Sequence, residues 1–232
     1  MEEEKVDIII SEPLGNMLFN ERMLESFLIA RDRFLKKDGI MFPTYVKFFA
    51  APFFDEKLYQ ETIAKVENFW KNKQFFGIDL SILKDKAILQ KLRQPVINAY
   101  SDEMNLAKGE FQIVDFRTIK VEELNALSYE FHLRTTKVGV LDGIGFWFDA
   151  IFKGTAEEVV LSTSPSAKTT HWYQIRLLIK DRIGINPGQD INISMKMESN
   201  KWQSYSISLK VELPILNITS QFKKYDLKDP VY

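Results

Sequence analysis

The chain has 232 residues, 45% of them apolar and 13% aromatic, with 31 Lys and Arg against 32 Asp and Glu. That length and apolar content suffice for one large core or two smaller ones; the near-neutral charge argues neither for nor against nucleic acid, and with no basic stripe of interleaved aromatics to pursue, no direct nucleic-acid partner is expected. The lack of cysteine excludes a disulfide framework, a thiolate nucleophile and a cysteine-based zinc site. Two histidines, His132 and His171, are too few for a histidine-rich metal centre. No apolar run reaches the length of a membrane span and the first residues lack a signal-peptide pattern, so a cytosolic or nuclear setting is the default.

Val6, Ile8, Ile9 and Ile10 form a short β-branched run, the pattern of a strand buried on both faces. Ser11, Glu12, Pro13 and Gly15 then turn the chain. From Met23 apolar residues recur at helical spacing (Met23, Leu24, Phe27, Leu28, Phe34), with Asn20 as expected N-cap and Gly39 as the C-terminal stop. Strand, tight loop and helix follow one another. In open α/β sheets ligands sit outside the carboxyl ends of strands, where this loop would lie.

Glu12 and Glu21 are nine residues apart. This spacing fits neither face of a helix, so only a doubled-back loop brings their carboxylates together. Two carboxylates in one partly dry pocket repel unless a cation lies between them, and a guanidinium offers a planar fork of donors that matches carboxylates bidentately. Held this way, its charge is drawn toward the bound nitrogens, leaving the free terminal nitrogen more electron-rich toward an electrophilic methyl group.

Phe42 and Pro43 mark a boundary, since Pro43 disfavours helix before it. Strands are predicted at 45–51, 111–116, 127–133, 145–152, 159–162, 172–179, 191–197 and 205–211, a spacing that suggests a β-sandwich or barrel. Gly143, Gly145 and Gly154 are expected to bracket one strand, and Asn186-Pro187-Gly188 reads as a turn. Between the first strand and the others, 55–96 reads as helical. Tyr59, Thr62, Ile63, Val66, Phe69 and Trp70 lie on one stripe, Ile82, Leu83, Ile88, Leu89 and Leu92 form a second apolar group, and Glu61 with Lys65 forms an outer i,i+4 pair. His132, in LSYEFHLR, reads as a structural barrel histidine.

The run S-E-P-x-G-x-M-L-F-N-E-R-M-L-E-S (residues 11–26) resembles the double-E loop of protein arginine methyltransferases, and its Pro and Asn choices resemble the coactivator-associated, type I branch. Thr170-His171-Trp172 is similar to the family's THW loop. GFWFDAIFKG (145–154), QSYSIS (203–208) and the closing DLKDPVY add to the likeness, which covers essentially the whole chain. Asn16 departs from it, since relatives usually carry Tyr there.

The resemblance implies a mainly β fold with α: a C-terminal β-barrel substrate domain (43–232), carrying a helical dimerisation arm (55–98) and preceded by the last strand-loop-helix of a Rossmann-like methyltransferase domain (1–42). It implies transfer of methyl from S-adenosylmethionine to arginine in histones or other proteins, giving asymmetric dimethylarginine, in nucleus and cytoplasm. Glu12, Glu21 and His171 are the implied catalytic residues. Asn20 and Trp172 join the two glutamates in binding substrate, and Met23 and Ser26 lie beside the cofactor. In the family this histidine pairs with an aspartate from the N-terminal part of the complete enzyme, and the arm docks on a partner's cofactor domain to make a homodimer. A Gly-rich nucleotide loop is absent. The expectation is therefore a chain that begins at the fourth strand of the cofactor domain, is monomeric or weakly associated, binds no S-adenosylmethionine alone and is inactive alone. Two alternatives stand beside this reading: a non-catalytic scaffold that binds proteins through barrel and arm, or a barrel that holds a small apolar ligand.

Overall fold

The computed structural model describes residues 5–227, with the side chains at 221–224 outside that description. The last five residues of the DLKDPVY motif therefore also lie outside the described residues. The chain opens with β1 (Val6–Ile10), α1 (Leu24–Phe34) and β2 (Leu35–Phe42), in which β1 and β2 pair in parallel around the intervening helix. Gly39 does not stop a helix. It lies within β2, where a Cβ would meet the Leu35 side chain, because α1 passes directly into the strand at Leu35. The burial expected on both faces of β1 is also not found: Val6 and Ile8 are exposed, Ile10 is 74% exposed, and Ile9 packs against the core. The physical reason is that β1 pairs on one edge only, with β2, and no other described strand or helix covers its outer face.

Two antiparallel sheets build the rest. The larger runs β4 (Val96–Asn98), β9 (Gln174–Ile185), β7 (Gly139–Lys153), β3 (Tyr45–Phe53), β5 (Glu110–Asp115). The second half of β7 also takes β8 (Glu158–Ser162), because β7 is long enough to pair β9 along its first half and β8 along its second. The smaller sheet runs β12 (Ile218–Leu227), β11 (Ser204–Leu213), β10 (Asp190–Asn200), β6 (Ala126–Arg134). Alternate residues turn inward from both, as the two-residue period of a strand requires: Val46, Phe48 and Ala50 on β3, Phe131 and Leu133 on β6, and Tyr205, Ile207, Leu209 and Val211 on β11 are buried in one core. Each such Val, Leu, Ile or Phe side chain contributes about 1.5–3 kcal/mol by leaving water.

The expected barrel is not closed. Where β5 and β6 meet, side chains substitute for a backbone ladder: Gln112 donates to the Glu130 carbonyl at 2.7 Å, and the His132 backbone N–H donates to the Glu110 carboxylate. On the opposite side β12 approaches β9 through the Tyr225 hydroxyl, which donates to the Leu178 carbonyl at 2.7 Å. The architecture is therefore two sheets face to face with side-chain bridges along their seams. Gly143 and Gly145 lie inside β7 and do not bracket it. A Cβ at Gly143 would stand 2.1 Å from the Leu177 carbonyl oxygen and one at Gly145 2.4 Å from the Tyr100 hydroxyl, so close approach requires glycine at both. The Asn186-Pro187-Gly188 turn forms as read, with Gly188 at φ +81.

The insertion carries α2 (Glu56–Tyr59), a π-helical turn (Gln60–Ala64), α3 (Lys65–Trp70) and α4 (Lys84–Leu92). Glu61 and Lys65 do not pair, because the wider π turn changes the angular relation between positions four apart. The arm's root folds onto its own sheet: Ile63, Ile88 and Leu92 pack with Phe53, Tyr100 and Leu178 in a second core. Its tip does not: Phe69 is half-exposed, Phe76 is 90% exposed and Ile82 81% exposed. Two arginines of β9 clamp the root. Arg176, itself buried, donates to Asp55 at 2.5 Å and to Asn98 at 2.7 Å, while Arg182 donates to the buried Asp142 at 2.7 Å and to Glu56 at 2.6 Å.

Candidate active site

The segment between Glu12 and Glu21 doubles back. The Gly15 backbone N–H donates to the Leu18 carbonyl at 3.0 Å, the Asn20 N–H donates to the Asn16 carbonyl at 3.1 Å, and a Cβ on Gly15 would lie 2.0 Å from the Asn20 carbonyl oxygen. Glycine is needed here because backbone meets backbone. Met17, Leu18, Glu21 and Arg22 all have left-handed φ, between 53 and 68, half of the eight non-glycine residues with positive φ among the described ones. Such conformations cost of order 1–2 kcal/mol per residue. They are offset by four apolar side chains of the loop, Leu14, Met17, Leu18 and Phe19, each buried in the main core.

The T-H-W turn and the QSYSIS strand meet this loop, and the GFWFD strand backs the turn. The Trp172 indole N–H donates to the Leu14 carbonyl at 2.7 Å, and the Asn16 amide donates to the Trp172 carbonyl at 2.9 Å, so the T-H-W turn and the glutamate loop are laced in both directions. Trp172 is 7% exposed and sets its ring edge-on to Phe148 of the GFWFD strand, centroids 5.9 Å apart. From the QSYSIS strand the Ser204 hydroxyl donates to the Asn20 side-chain carbonyl at 2.6 Å, and the Tyr205 hydroxyl donates to the Leu124 carbonyl at 2.7 Å. Burial pushes the Tyr205 phenol up to about 12, so it stays a neutral donor. Asn20 is buried and lies before, not at, the start of α1, whose first turn is preceded by Met23 without a side-chain cap. The expected capping role is therefore not found, because its side chain is turned to Ser204.

Glu12 and Glu21 are both exposed, at the two ends of the folded-back loop, and neither has an ion-pair or hydrogen-bond partner among the described residues. Their neighbours are fixed. Ser11 N–H donates to the Phe42 carbonyl at 3.0 Å, Pro13 is buried, and Arg22 beyond Glu21 donates to Asn125 at 2.9 Å and to Glu25. One carboxylate oxygen of Glu25 is buried without a protein partner. His171 is exposed and its ring lies against that of Trp172, centroids 3.9 Å apart and tilted by 35°, with no carboxylate partner among the described residues. Met23 is half-buried and Ser26 exposed, on the side of α1 that follows the loop. His132 sits away from all of this, exposed on β6, its Nδ1 3.0 Å from the Asn192 side-chain oxygen. No group of three metal-ligating side chains and no helix long and apolar enough to cross a membrane occurs among the described residues.

Sequence reasoning did not reach Asn16, Phe148, Ser204 and Tyr205 as supports. The signal available for the first was its position beside Gly15 in a turn. For the others only the strand pairing could reveal it.

The family model for the arginine methyltransferase oligomerization subdomain matches residues 46–215. The chain belongs to the arginine methyltransferase family. It is 40% identical over 229 residues to the histone-arginine methyltransferase CARMER of Drosophila ananassae, a match that covers 99% of this chain and 43% of that protein, and the probable histone-arginine methyltransferase CARMER of Drosophila melanogaster matches to the same extent. The chain thus spans less than half the length of these relatives. Among solved structures, the PRMT1 enzyme-prozyme heterotetrameric complex with AdoHcy of Trypanosoma brucei superimposes with a TM-score of 0.83 at 28% identity over 97% of this chain and 69% of that chain. Protein arginine methyltransferase 10 of Arabidopsis thaliana does so with a TM-score of 0.78 at 26% identity over 97% and 71%. The arginine methyltransferase assignment covers the motifs described above and the sheets that carry them.

Proposed function

We propose that this chain supplies the guanidinium-holding loop and the assembly surface of a type I protein arginine N-methyltransferase, acting on arginine in histones or other proteins of nucleus and cytoplasm. The observation that carries this reading is the backbone contact of Gly15 with Asn20, which folds the loop back between Glu12 and Glu21, two exposed carboxylates with no partner among the described residues. A guanidinium between them satisfies both. It is oriented as well as bound, so its free nitrogen is presented in a fixed direction, and this positioning is where most of the rate of a methyl transfer arises. Asn20 and Trp172 keep the loop in shape, and His171, exposed beside Trp172, is the residue we assign to accept or hand on a proton.

S-adenosylmethionine supplies the methyl group in this reaction. On this reading Met23, half-buried, and Ser26, exposed, form one wall of its site. In this proposal 1–42 belongs to a cofactor-binding α/β unit and 43–232 is the substrate domain. The arm (55–98) is the surface for a second copy, a role supported by its exposed tip and by the heterotetrameric assembly named for the trypanosome complex.

The test is binding of an arginine-containing histone-tail peptide to the purified chain at low ionic strength by calorimetry. A charge-assisted hydrogen bond contributes about 1.5–3 kcal/mol, so Glu12→Gln and Glu21→Gln should each weaken binding roughly 10- to 150-fold. Unchanged binding in both would instead support a scaffold that recognises proteins elsewhere.

A further inference from the structure

On the outer face of the larger sheet lies a cavity of about 540 Å³ that the methyl-transfer reading does not use; its lining includes Ser164, Ser166, Lys108 and Lys137. Ser164 belongs to the connection between β8 and the His171-Trp172 turn. That connection is pinned at both ends: Thr163 N–H donates to the Phe148 carbonyl at 2.9 Å, and the Gln174 amide donates to the Thr163 carbonyl at 2.8 Å. Between the pins the chain has no strand or helix, Ser164 is half-buried, and Ser166 and Lys168 are exposed. Of the eight prolines in the sequence, only Pro165 follows a serine or threonine.

The cavity has an uneven charge pattern. Lys108 is exposed and has no partner among the described residues, and Lys137 donates only to the Glu103 backbone carbonyl at 2.8 Å. Asp149 is occupied by the Ser162 hydroxyl at 2.5 Å, which also accepts from the Ser164 N–H at 3.1 Å, and Asp102 by the Asn105 amide at 2.9 Å, while the Ser164 hydroxyl lies 2.8 Å from that of Ser166. A dianion introduced at Ser164 shares this cavity with two ammonium groups that have no side-chain partner among the described residues, and repulsion from Asp149 and Asp102 turns it toward them.

We propose that Ser164 is a phosphorylation site for a proline-directed serine/threonine kinase, and that the phosphoserine is held across this cavity by Lys108 and Lys137. The kinase transfers the γ-phosphoryl group of ATP to the Ser164 hydroxyl oxygen. The P–O bond to ADP breaks, a new P–O bond forms, and the hydroxyl proton leaves to solvent or a kinase base. The product carries about −1.5 to −2 charge at neutral pH and three acceptor oxygens. It ties the β8 connection to the segment around Lys108, next to the turn whose Trp172 supports the glutamate loop.

The purified chain is incubated with ATP, magnesium and a proline-directed kinase and then mapped by tandem mass spectrometry. One phosphate is expected, on Ser164. It should be lost in Ser164→Ala and Pro165→Ala and retained in Ser166→Ala. Failure to incorporate phosphate while a peptide spanning residues 159–170 is phosphorylated, or incorporation at another residue only, overturns the site. Thermal denaturation then tests the pairing. The phosphorylated chain should melt about 2–4 °C above the unmodified one, and the shift should vanish in Lys108→Gln/Lys137→Gln. An equal shift in both backgrounds, or none in either, overturns the lysine clamp.

Discussion

Replacing Trp172 with Phe isolates the tie between the T-H-W turn and the glutamate loop. Phe keeps an aromatic ring near Phe148 and removes the indole N–H that Leu14 accepts at 2.7 Å in a site that is 93% inaccessible. The Leu14 carbonyl then has lost its donor away from water, and an unsatisfied buried acceptor costs about 1–3 kcal/mol. At roughly 2–4 °C per kcal/mol for a chain of this size, the midpoint of thermal unfolding falls by about 2–12 °C. Circular dichroism melts, with urea unfolding as a second measure, give the value. Asn16→Ala removes the reverse tie, from its amide to the Trp172 carbonyl. Because both substitutions act on one junction, the double variant should depart from additivity by about 0.5–3 kcal/mol. A Trp172→Phe chain within about 0.5 kcal/mol of wild type, together with an additive double variant, refutes the view that this turn holds the loop.

Other substitutions probe the frame and the arm. Asp55→Ala leaves the buried Arg176 guanidinium without its ion partner and should cost about 3–5 kcal/mol in urea unfolding, because an uncompensated buried charge remains. A loss below 1 kcal/mol would show that the arm's root is not organised by this pair. Burial raises the Asp149 carboxyl above its ordinary value against the Ser162 hydrogen bond. Its ionised form therefore disfavours the folded state, and the associated stability is present below the unfolded value of about 4 and lost as pH rises through the raised folded value. Asp149→Asn should accordingly gain on wild type between pH 4 and 7, and a difference independent of pH in that window contradicts the assignment. Phe76→Lys with Ile82→Lys should leave folding stability within about 0.5 kcal/mol, since both side chains are exposed, while shifting sedimentation toward the monomer. Self-association identical to wild type would exclude the arm tip as the assembly surface.

The elements that were legible were those in which local pattern and final burial agree. Alternation along 127–133 and 205–211 recovered β6 and β11 because each has one face on the core. The helical spacing from Leu24 recovered α1 for the same reason. The errors came where a neighbour decides. β1 carries the composition of a doubly buried strand yet is exposed, and Gly39 carries the composition of a helix stop yet lies in β2. Asn20 has the side chain of a cap but is committed to Ser204, 184 residues away in the chain. The barrel remained open because closure depends on two edges meeting in register, and β5 and β6 meet through Gln112 and Glu110.

By itself the sequence determined the chemistry on offer: two glutamates around a turn, a histidine beside a tryptophan and no thiol, because these are properties of side-chain identity and short spacing. Tertiary structure decided how they are held. Whether Trp172 walls an opening or supports a loop, whether Asn16 is a neutral departure or a tie, and which end of the arm is covered all depend on segments more than a hundred residues apart reaching hydrogen-bond or van der Waals distance. Interactions of that range are fixed by the packing of one shared core, and no local pattern encodes them.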